Sequence, residues 1–279
     1  MGDFAPIDLL FVPADRPERF AKALAAASAV CIDLEDAVSP DNKAAARDAL
    51  RAALRSGNLP PERVVVRIQA EGAPGHDEDL ALVAEGGMAA VMLPKAEGPQ
   101  SVERVAAQLK DTAGVIALVE TARGLRRAHD IADAPGVIGL TFGALDLAAD
   151  LDAVLADQDR DHFRRLLRLA SAEAGVACWN SPWPALNDAA GLSSDAKRAA
   201  DLGYTGMLCI HPAQTSAVRD AFTPSAEAVG RARAIVEAAA GGGAVRLDGA
   251  MIDAPVVARA RQTLARLGRH SSPQAPEDL

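Results

Sequence analysis

The chain has 279 residues, 49% of them hydrophobic and 24% charged, which supplies a folded core and excludes a disordered body. With 29 Lys and Arg against 38 Asp and Glu the formal net charge is −9, which argues against nucleic acid or an anionic membrane surface as the main partner, because both demand a basic face. The three cysteines, Cys31, Cys178 and Cys209, stand singly in apolar runs, not in Cys-x-x-Cys pairs, and read as reduced core thiols of a cytoplasmic protein.

Short apolar runs rich in Val, Ile and Leu recur along the chain, at residues 7–12, 30–34, 64–68, 89–93, 115–119, 137–142, 176–179 and 206–210. Most are continuous, not alternating, so each predicts a strand covered on both faces, as in a parallel sheet. The segments between them carry helical patterns, at 17–28, 42–54, 100–109, 125–132, 160–174 and 194–202. The first of these opens with Pro17, a preferred first helical residue. This alternation predicts an α/β fold, a (β/α)8 TIM barrel over residues 1–212. The rival, a doubly wound open sheet, calls for a glycine-rich first turn, and the turn here is PADRP. After Ile210-His211-Pro212 the pattern changes to helices at 214–222, 226–240 and 254–266, with VRLDGAMID between the last two. Residues 213–270 thus read as a C-terminal helical extension, and the polar 271–279 as a disordered tail. No apolar stretch approaches the ~20 residues of a membrane helix. The start, MGDFAPIDLLFVP, lacks the basic region of a signal peptide.

A barrel builds its active site where strands end. The second strand delivers Asp33, Glu35 and Asp36, the third Arg67 and Gln69, the fourth Lys95, the fifth Glu120, and the sixth leads to Asp146. Carboxylates at the ends of apolar strands need a cation or a metal beside them. Glu120 and Asp146, from neighbouring strand ends, suit Mg²⁺ or Mn²⁺, which bind oxygen and keep open positions for substrate. The alternative is that each carboxylate caps the next helix or pairs with Arg67, Arg123 or Lys95. Phe11 either lines the pocket or packs in the core. Arg19, Lys22, Arg47 and Arg51, at helical spacing, read as a solvated face. His211 reads as structural, and His76, His129, His162 and His270 as surface residues.

The segments LLFVPADRPERFAKAL, CIDLEDAVSPDNKAAAR, VVVRIQA, VMLPKAE, ALVETARG, TFGALDLAADL, CIHPAQ and DGAMIDAP follow one another across residues 7–260. In that order they resemble the citrate lyase β-subunit-like proteins of the HpcH/HpaI aldolase and citrate lyase superfamily. The resemblance implies a Mg²⁺-dependent carbon–carbon lyase that cleaves or forms a citryl-, malyl- or citramalyl-type thioester of coenzyme A, giving an acyl-CoA and a 2-oxo acid. It implies Glu120 and Asp146 as metal ligands, with Glu120 also holding substrate, and Arg67 as the arginine on the substrate carboxylate and carbonyl oxygen. Asp253 matches an acid/base that reaches a neighbouring subunit, hence a homo-oligomer, a trimer or hexamer. Glu35 is expected to position Arg67 or metal-bound water. The alternatives are an aldolase acting on free 4-hydroxy-2-oxo acids and a lyase subunit that docks an acyl carrier protein. Two departures stand out. Gln69 replaces the usual Asn and is expected to reshape the acid-binding end. The segment from Trp179 to Trp183 holds both tryptophans and matches no one subfamily.

Overall fold

The β-branched runs extend because their side chains lose rotamer freedom in a helix and fit a pleated surface. The computed structural model describes residues 4–242 and 244–270. In chain order the elements are β1 (Asp8–Pro13), α1 (Phe20–Ala26), β2 (Ala29–Asp33), α2 (Lys43–Arg55), β3 (Val64–Arg67), α3 (His76–Gly86), β4 (Ala90–Leu93), α4 (Pro99–Leu109) and β5 (Gly114–Val119). There follow α5 (Ala122–Arg126), α6 (Ala128–Ala132), β6 (Val137–Phe142), α7 (Ala144–Asp150), α8 (Asp157–Glu173), β7 (Ala177–Asn180), α9 (Ala189–Asp201), β8 (Gly206–Cys209) and α10 (Thr215–Phe222). The eight strands form one closed barrel, and β8 returns to pair in parallel with β1 through Asp8↔Met207, Leu9↔Leu208 and Leu10↔Cys209. This is the (β/α)8 barrel expected from the sequence.

The helices differ more. The segment 17–28 begins as a tight turn at Pro17–Arg19 before α1, and 125–132 breaks into α5 and α6. Two helices, α3 and α7, were not expected. The first turn of α3 carries Asp77, Glu78 and Asp79, which suit the positive end of a helix dipole. His76, expected at the surface, is only 8% exposed, and its Nδ1 lies 2.8 Å from the Gln69 carbonyl oxygen. Arg47 is not on a solvated face either: it reaches across to the buried Asp79 at 2.6 Å.

Side chains along a strand alternate between its two faces. Leu9, Ala29, Cys31, Val65, Ala90, Met92, Ile116, Leu118, Trp179 and Leu208 fill the barrel interior, flanked by Phe11, Ile138 and Ala177. Their parity is the same along each strand. Continuing it toward the carboxyl ends reaches Asp33 on β2, Arg67 on β3, Glu120 after β5 and Ser181 after β7, while on β6 the register shifts past Ile138 and the inward face passes to Gly139 and Thr141.

The chain divides into two compact units, Met1–Arg219 and Asp220–Leu279, so the division falls within α10. In the second unit, α11 (Ala226–Ala238) precedes an antiparallel hairpin of β9 (Val245–Leu247) and β10 (Ala250–Ile252), and then α12 (Ala254–His270). The hairpin turn is Asp248-Gly249, both at positive φ, the pairing that a two-residue hairpin loop favours. Ala232, Ile235, Ile252 and Ala260 form this unit's own apolar core. The expected disordered tail, 271–279, lies outside the described residues. Among the described residues no helix is long and apolar enough to cross a membrane.

Candidate active site

Asp33 and Arg67 are register partners on β2 and β3, so their inward side chains meet. Arg67 donates through Nε to Asp33 Oδ1 at 2.8 Å and through Nη2 to Asp33 Oδ2 at 2.5 Å, a forked pair. Glu35 Oε2 lies 3.0 Å from Arg67 Nη1, outside hydrogen-bond geometry, and is buried with no hydrogen-bond partner. The guanidinium also sits 5.0 Å from the centre of the Phe11 ring. Burial alone would weaken the charge on Arg67, but Asp33 and Glu35 outweigh it and hold the group charged. Burial pushes the Glu35 carboxyl up to about 7, although Arg67 pulls it down. Lys43 fixes the loop carrying Glu35 by donating to the carbonyls of Leu34 and Glu35, both at 2.9 Å.

Glu120 is 3% exposed and accepts the Lys95 backbone N–H at 2.9 Å. Lys95 stands at φ 51°, an unusual conformation for a residue with a side chain, and that conformation belongs to the turn that aims its N–H. Burial pushes Glu120 up to about 8, with repulsion from Asp146 adding to the rise. Gly143 permits the close approach: a Cβ there would stand 2.5 Å from Glu120 Cβ and 2.7 Å from Glu120 Oε2. Asp146 itself is exposed, in the first turn of α7. Ser181 ties down the start of α7, accepting the Ala144 N–H at 3.1 Å while donating to the Phe142 carbonyl.

Arg67, Glu120, Asp146 and Phe11 line one cavity of about 220 Å³. That suits a small organic acid better than the 300–1,000 Å³ pockets that hold drug-sized ligands. The loop after β7 also lines it, through Ser181, Pro182, Trp183 and Pro184, together with Arg160, Arg164 and Asp195. Beneath this loop Arg164, 1% exposed, donates to Asn180 Oδ1 at 2.8 Å, to Asp161 at 2.8 Å and to Asp195 at 2.7 Å.

Of the residues singled out in the sequence, Phe11, Arg67, Glu120 and Asp146 therefore meet, and Glu35 backs Arg67. Asp253 lies in the second unit, exposed, and accepts the Val256 N–H at 3.3 Å at the start of α12. Gln69 is not among the residues lining the cavity: its side-chain amide donates to the Leu34 carbonyl and its backbone N–H to Asp79 Oδ2 at 2.9 Å. His211 is structural, accepting the Ala213 N–H at 3.2 Å to cap a turn. The two tryptophans part company. Trp179 is sealed in the barrel core with Nε1 donating to the Pro6 carbonyl at 2.7 Å, and Trp183 lines the cavity. Sequence reasoning missed Ser181 and the Arg164–Asp195 pair. Strand parity marks Ser181; nothing local marks a pair 31 residues apart.

A closed parallel barrel with an arginine and a carboxylate pair at its strand ends has the form of a barrel enzyme. Residues 8–212 match the HpcH/HpaI aldolase/citrate lyase family, and the chain belongs to it. It is 42% identical over 272 residues to a citrate lyase subunit beta-like protein of Mycobacterium tuberculosis, covering 94% of this chain and 96% of the relative. It is 31% identical over 267 residues to a (3S)-malyl-CoA thioesterase of Cereibacter sphaeroides, covering 92% and 93%. Among solved structures it is similar to CitE from Mycobacterium tuberculosis in complex with magnesium, acetoacetate and coenzyme A. There the TM-score is 0.84 at 41% identity, over 95% of this chain and 99% of that one.

Proposed function

We propose that the chain is a Mg²⁺-dependent lyase acting on hydroxyacyl thioesters of coenzyme A. The reaction is HO–C(R)(CO₂⁻)–CH₂–CO–S–CoA ⇌ R–CO–CO₂⁻ + CH₃–CO–S–CoA. The observation that carries this reading is the meeting of Arg67, Glu120 and Asp146 on one small cavity. The relative solved with magnesium, acetoacetate and coenzyme A supports it.

The residues fit a hard divalent cation. Glu120 is a buried carboxylate raised in part by its acidic neighbour Asp146, a repulsion that a cation relieves. Among the described residues no group of three or more His, Cys, Asp or Glu is placed to hold a metal. Glu120 and Asp146 would therefore hold the ion as a pair and leave its other positions to water and substrate oxygens, as Mg²⁺ prefers; Mn²⁺ suits the same donors. A bound cation supplies Lewis acidity toward the hydroxyl and carboxylate of the acid.

Arg67 stabilises the negative charge that develops on oxygen as the carbon–carbon bond breaks. The hydroxyl proton leaves, the bond's electron pair passes to the thioester enolate, and the enolate takes up a proton at its α-carbon. Asp253 is assigned that last proton transfer. The family resemblance supports this role, which is filled from a second copy of the chain, so the active enzyme is a homo-oligomer. Glu35 holds Arg67 in place from behind, and Phe11 packs on its face.

The test is a screen of malyl-, citramalyl- and citryl-CoA with Mg²⁺, read by mass spectrometry. Acetyl-CoA and a 2-oxo acid are expected, with loss of both on adding EDTA or in Glu120→Ala. Arg67→Ala should lower kcat by about 10²–10³, the range for losing one oxyanion-stabilising donor. Release of free CoA with the hydroxy acid intact would show thioester hydrolysis instead. Turnover of free 4-hydroxy-2-oxo acids alone would make the protein an aldolase.

A further inference from the structure

Two hydrogen bonds lace together the segments that carry Glu120 and Asp146. Glu120 follows β5, and Asp146 lies in the first turn of α7. The Gly143 N–H donates to the Val119 carbonyl at 3.1 Å, and the Ala122 N–H donates to Asp150 Oδ2 at 2.7 Å. The two carboxylates therefore fall between two cross-links, with residues 119–122 on one side and 143–150 on the other. The helix depends on such ties. It is 7 residues long and buries Leu147 alone, too little apolar surface to hold a short helix by packing.

The start of α7 also lacks a cap of its own. The first N–H groups of a helix have no partner within it, and a side chain at the preceding position normally accepts one. Here that position is Gly143, which makes no side-chain cap. A larger residue is excluded, because its Cβ would stand 2.5 Å from Glu120 Cβ. Closeness to Glu120 thus rules out a local cap, and Ser181, 5% exposed just after β7, supplies the acceptor from the neighbouring strand. Its Oγ donates its proton to the Phe142 carbonyl and accepts the Ala144 N–H at 3.1 Å. One hydroxyl, donor and acceptor at once, spans the turn at Gly143.

We infer that Ser181 and Asp150 are positioning residues for the metal site: they hold α7, and with it Asp146, beside Glu120, and so set how tightly the site takes a divalent cation. The inference rests on the reading of Glu120 and Asp146 as the ligand pair. Two neighbouring carboxylates repel, so without an ion they favour moving apart, and the ties on α7 oppose that. A ligand already in place costs no ordering when the ion arrives, whereas one on a loosened helix must be ordered at that moment, at the expense of affinity. Groups that orient a metal ligand without touching the metal are worth about 10–100-fold in affinity.

The test is titration of the full chain with Mn²⁺, the free ion counted by electron paramagnetic resonance, followed by displacement with Mg²⁺. The parent should bind Mn²⁺ at a site lost in Glu120→Ala. Ser181→Ala should weaken binding by about 10–100-fold, and Ser181→Thr, which keeps a hydroxyl, should restore most of it. Asp150→Ala should weaken binding too, and Asp150→Asn, which keeps an acceptor oxygen without the charge, should stay close to the parent. Melting of each variant in EDTA gives the purely structural readout. If the ties serve the fold alone, Ser181→Ala and Asp150→Ala melt lower in EDTA yet bind Mn²⁺ as the parent does, and the inference is overturned. Equal losses in Asp150→Asn and Asp150→Ala would trace the effect to charge and overturn the part given to Asp150. If Ser181→Ala fails to fold by circular dichroism, the exposed Asp150 carries the test. No Mn²⁺ binding by the parent, or binding that survives Glu120→Ala, sinks the ligand pair and this inference with it.

Discussion

Arg67 has more acidic neighbours than one guanidinium can neutralise: Asp33 at 2.5 Å, Glu35 at 3.0 Å and Asp36 at 3.7 Å. Asp33 takes the forked pair, and Glu35 is left half-matched. Burial raises its carboxyl from 4.5 to about 7, with Asp36 and Asp33 working against the pull of Arg67. A carboxyl raised by folding favours the native state while it is protonated. Between 4.5 and about 7 the native chain keeps a proton that the unfolded chain has released, so stability falls as pH rises through that window. Glu35→Gln stays neutral throughout. It should melt above the parent at pH 8, by on the order of a few degrees, and the gain should vanish toward pH 4.5. Thermal melts across that range check it, and a pH-independent difference would refute the assignment. At this scale much of the site was legible. A continuous apolar run locates a strand, its end locates the rim, and the two-residue alternation selects Asp33, Arg67 and Glu120 as inward-facing. Trp183 was not legible, because its position depends on a loop whose carbonyl is held by Gln214, far along the chain.

At the scale of elements, the cavity's outer wall depends on one buried ion pair. Arg164 of α8 reaches Asp195 of α9, and Asn180 at the end of β7 donates to the same carboxylate at 2.9 Å. Three elements are joined at a point with almost no solvent. Removing one member leaves the other charge buried and alone. Asp195→Ala should therefore cost about 3–5 kcal/mol of stability, measured by urea denaturation. A loss below about 1 kcal/mol would mean that water reaches Arg164 and solvates it. The helices were less legible than the strands for related reasons. The buried residues His76, Asp79, Leu80 and Val83 of α3 do form one helical stripe, but half of it is polar, so the apolar periodicity that betrays α2 or α8 is weak there. Arg47 reads as a surface residue because its partner Asp79 lies 32 positions away.

At the scale of the molecule, the barrel was legible because strands covered on both faces leave an unmistakable run of Val, Ile and Leu. The role proposed for Asp253 was not, because in the second unit that residue is exposed and accepts only the Val256 N–H at the start of α12. The thiols report on the whole barrel. Cys31, Cys178 and Cys209 are all free and buried, and burial pushes all three thiols up, Cys178 to about 12. Native protein at pH 8 should release less than roughly a tenth of an equivalent of colour from a disulfide reagent within minutes. In denaturant all three should react at once. Early reaction of one thiol under native conditions would show that part of the barrel opens separately. The alternation along the strands carries one more consequence. The site has a reading frame of two residues. A single insertion inside β3 turns Arg67 outward beneath the helices and carries Val66 into the cavity, a change of hydrophobic for charged on both faces at once. Lengthening the loops leaves that frame intact. Descendants of this sequence can therefore gain and lose residues freely in stretches such as 151–156, while their strands must keep their lengths or lose the site.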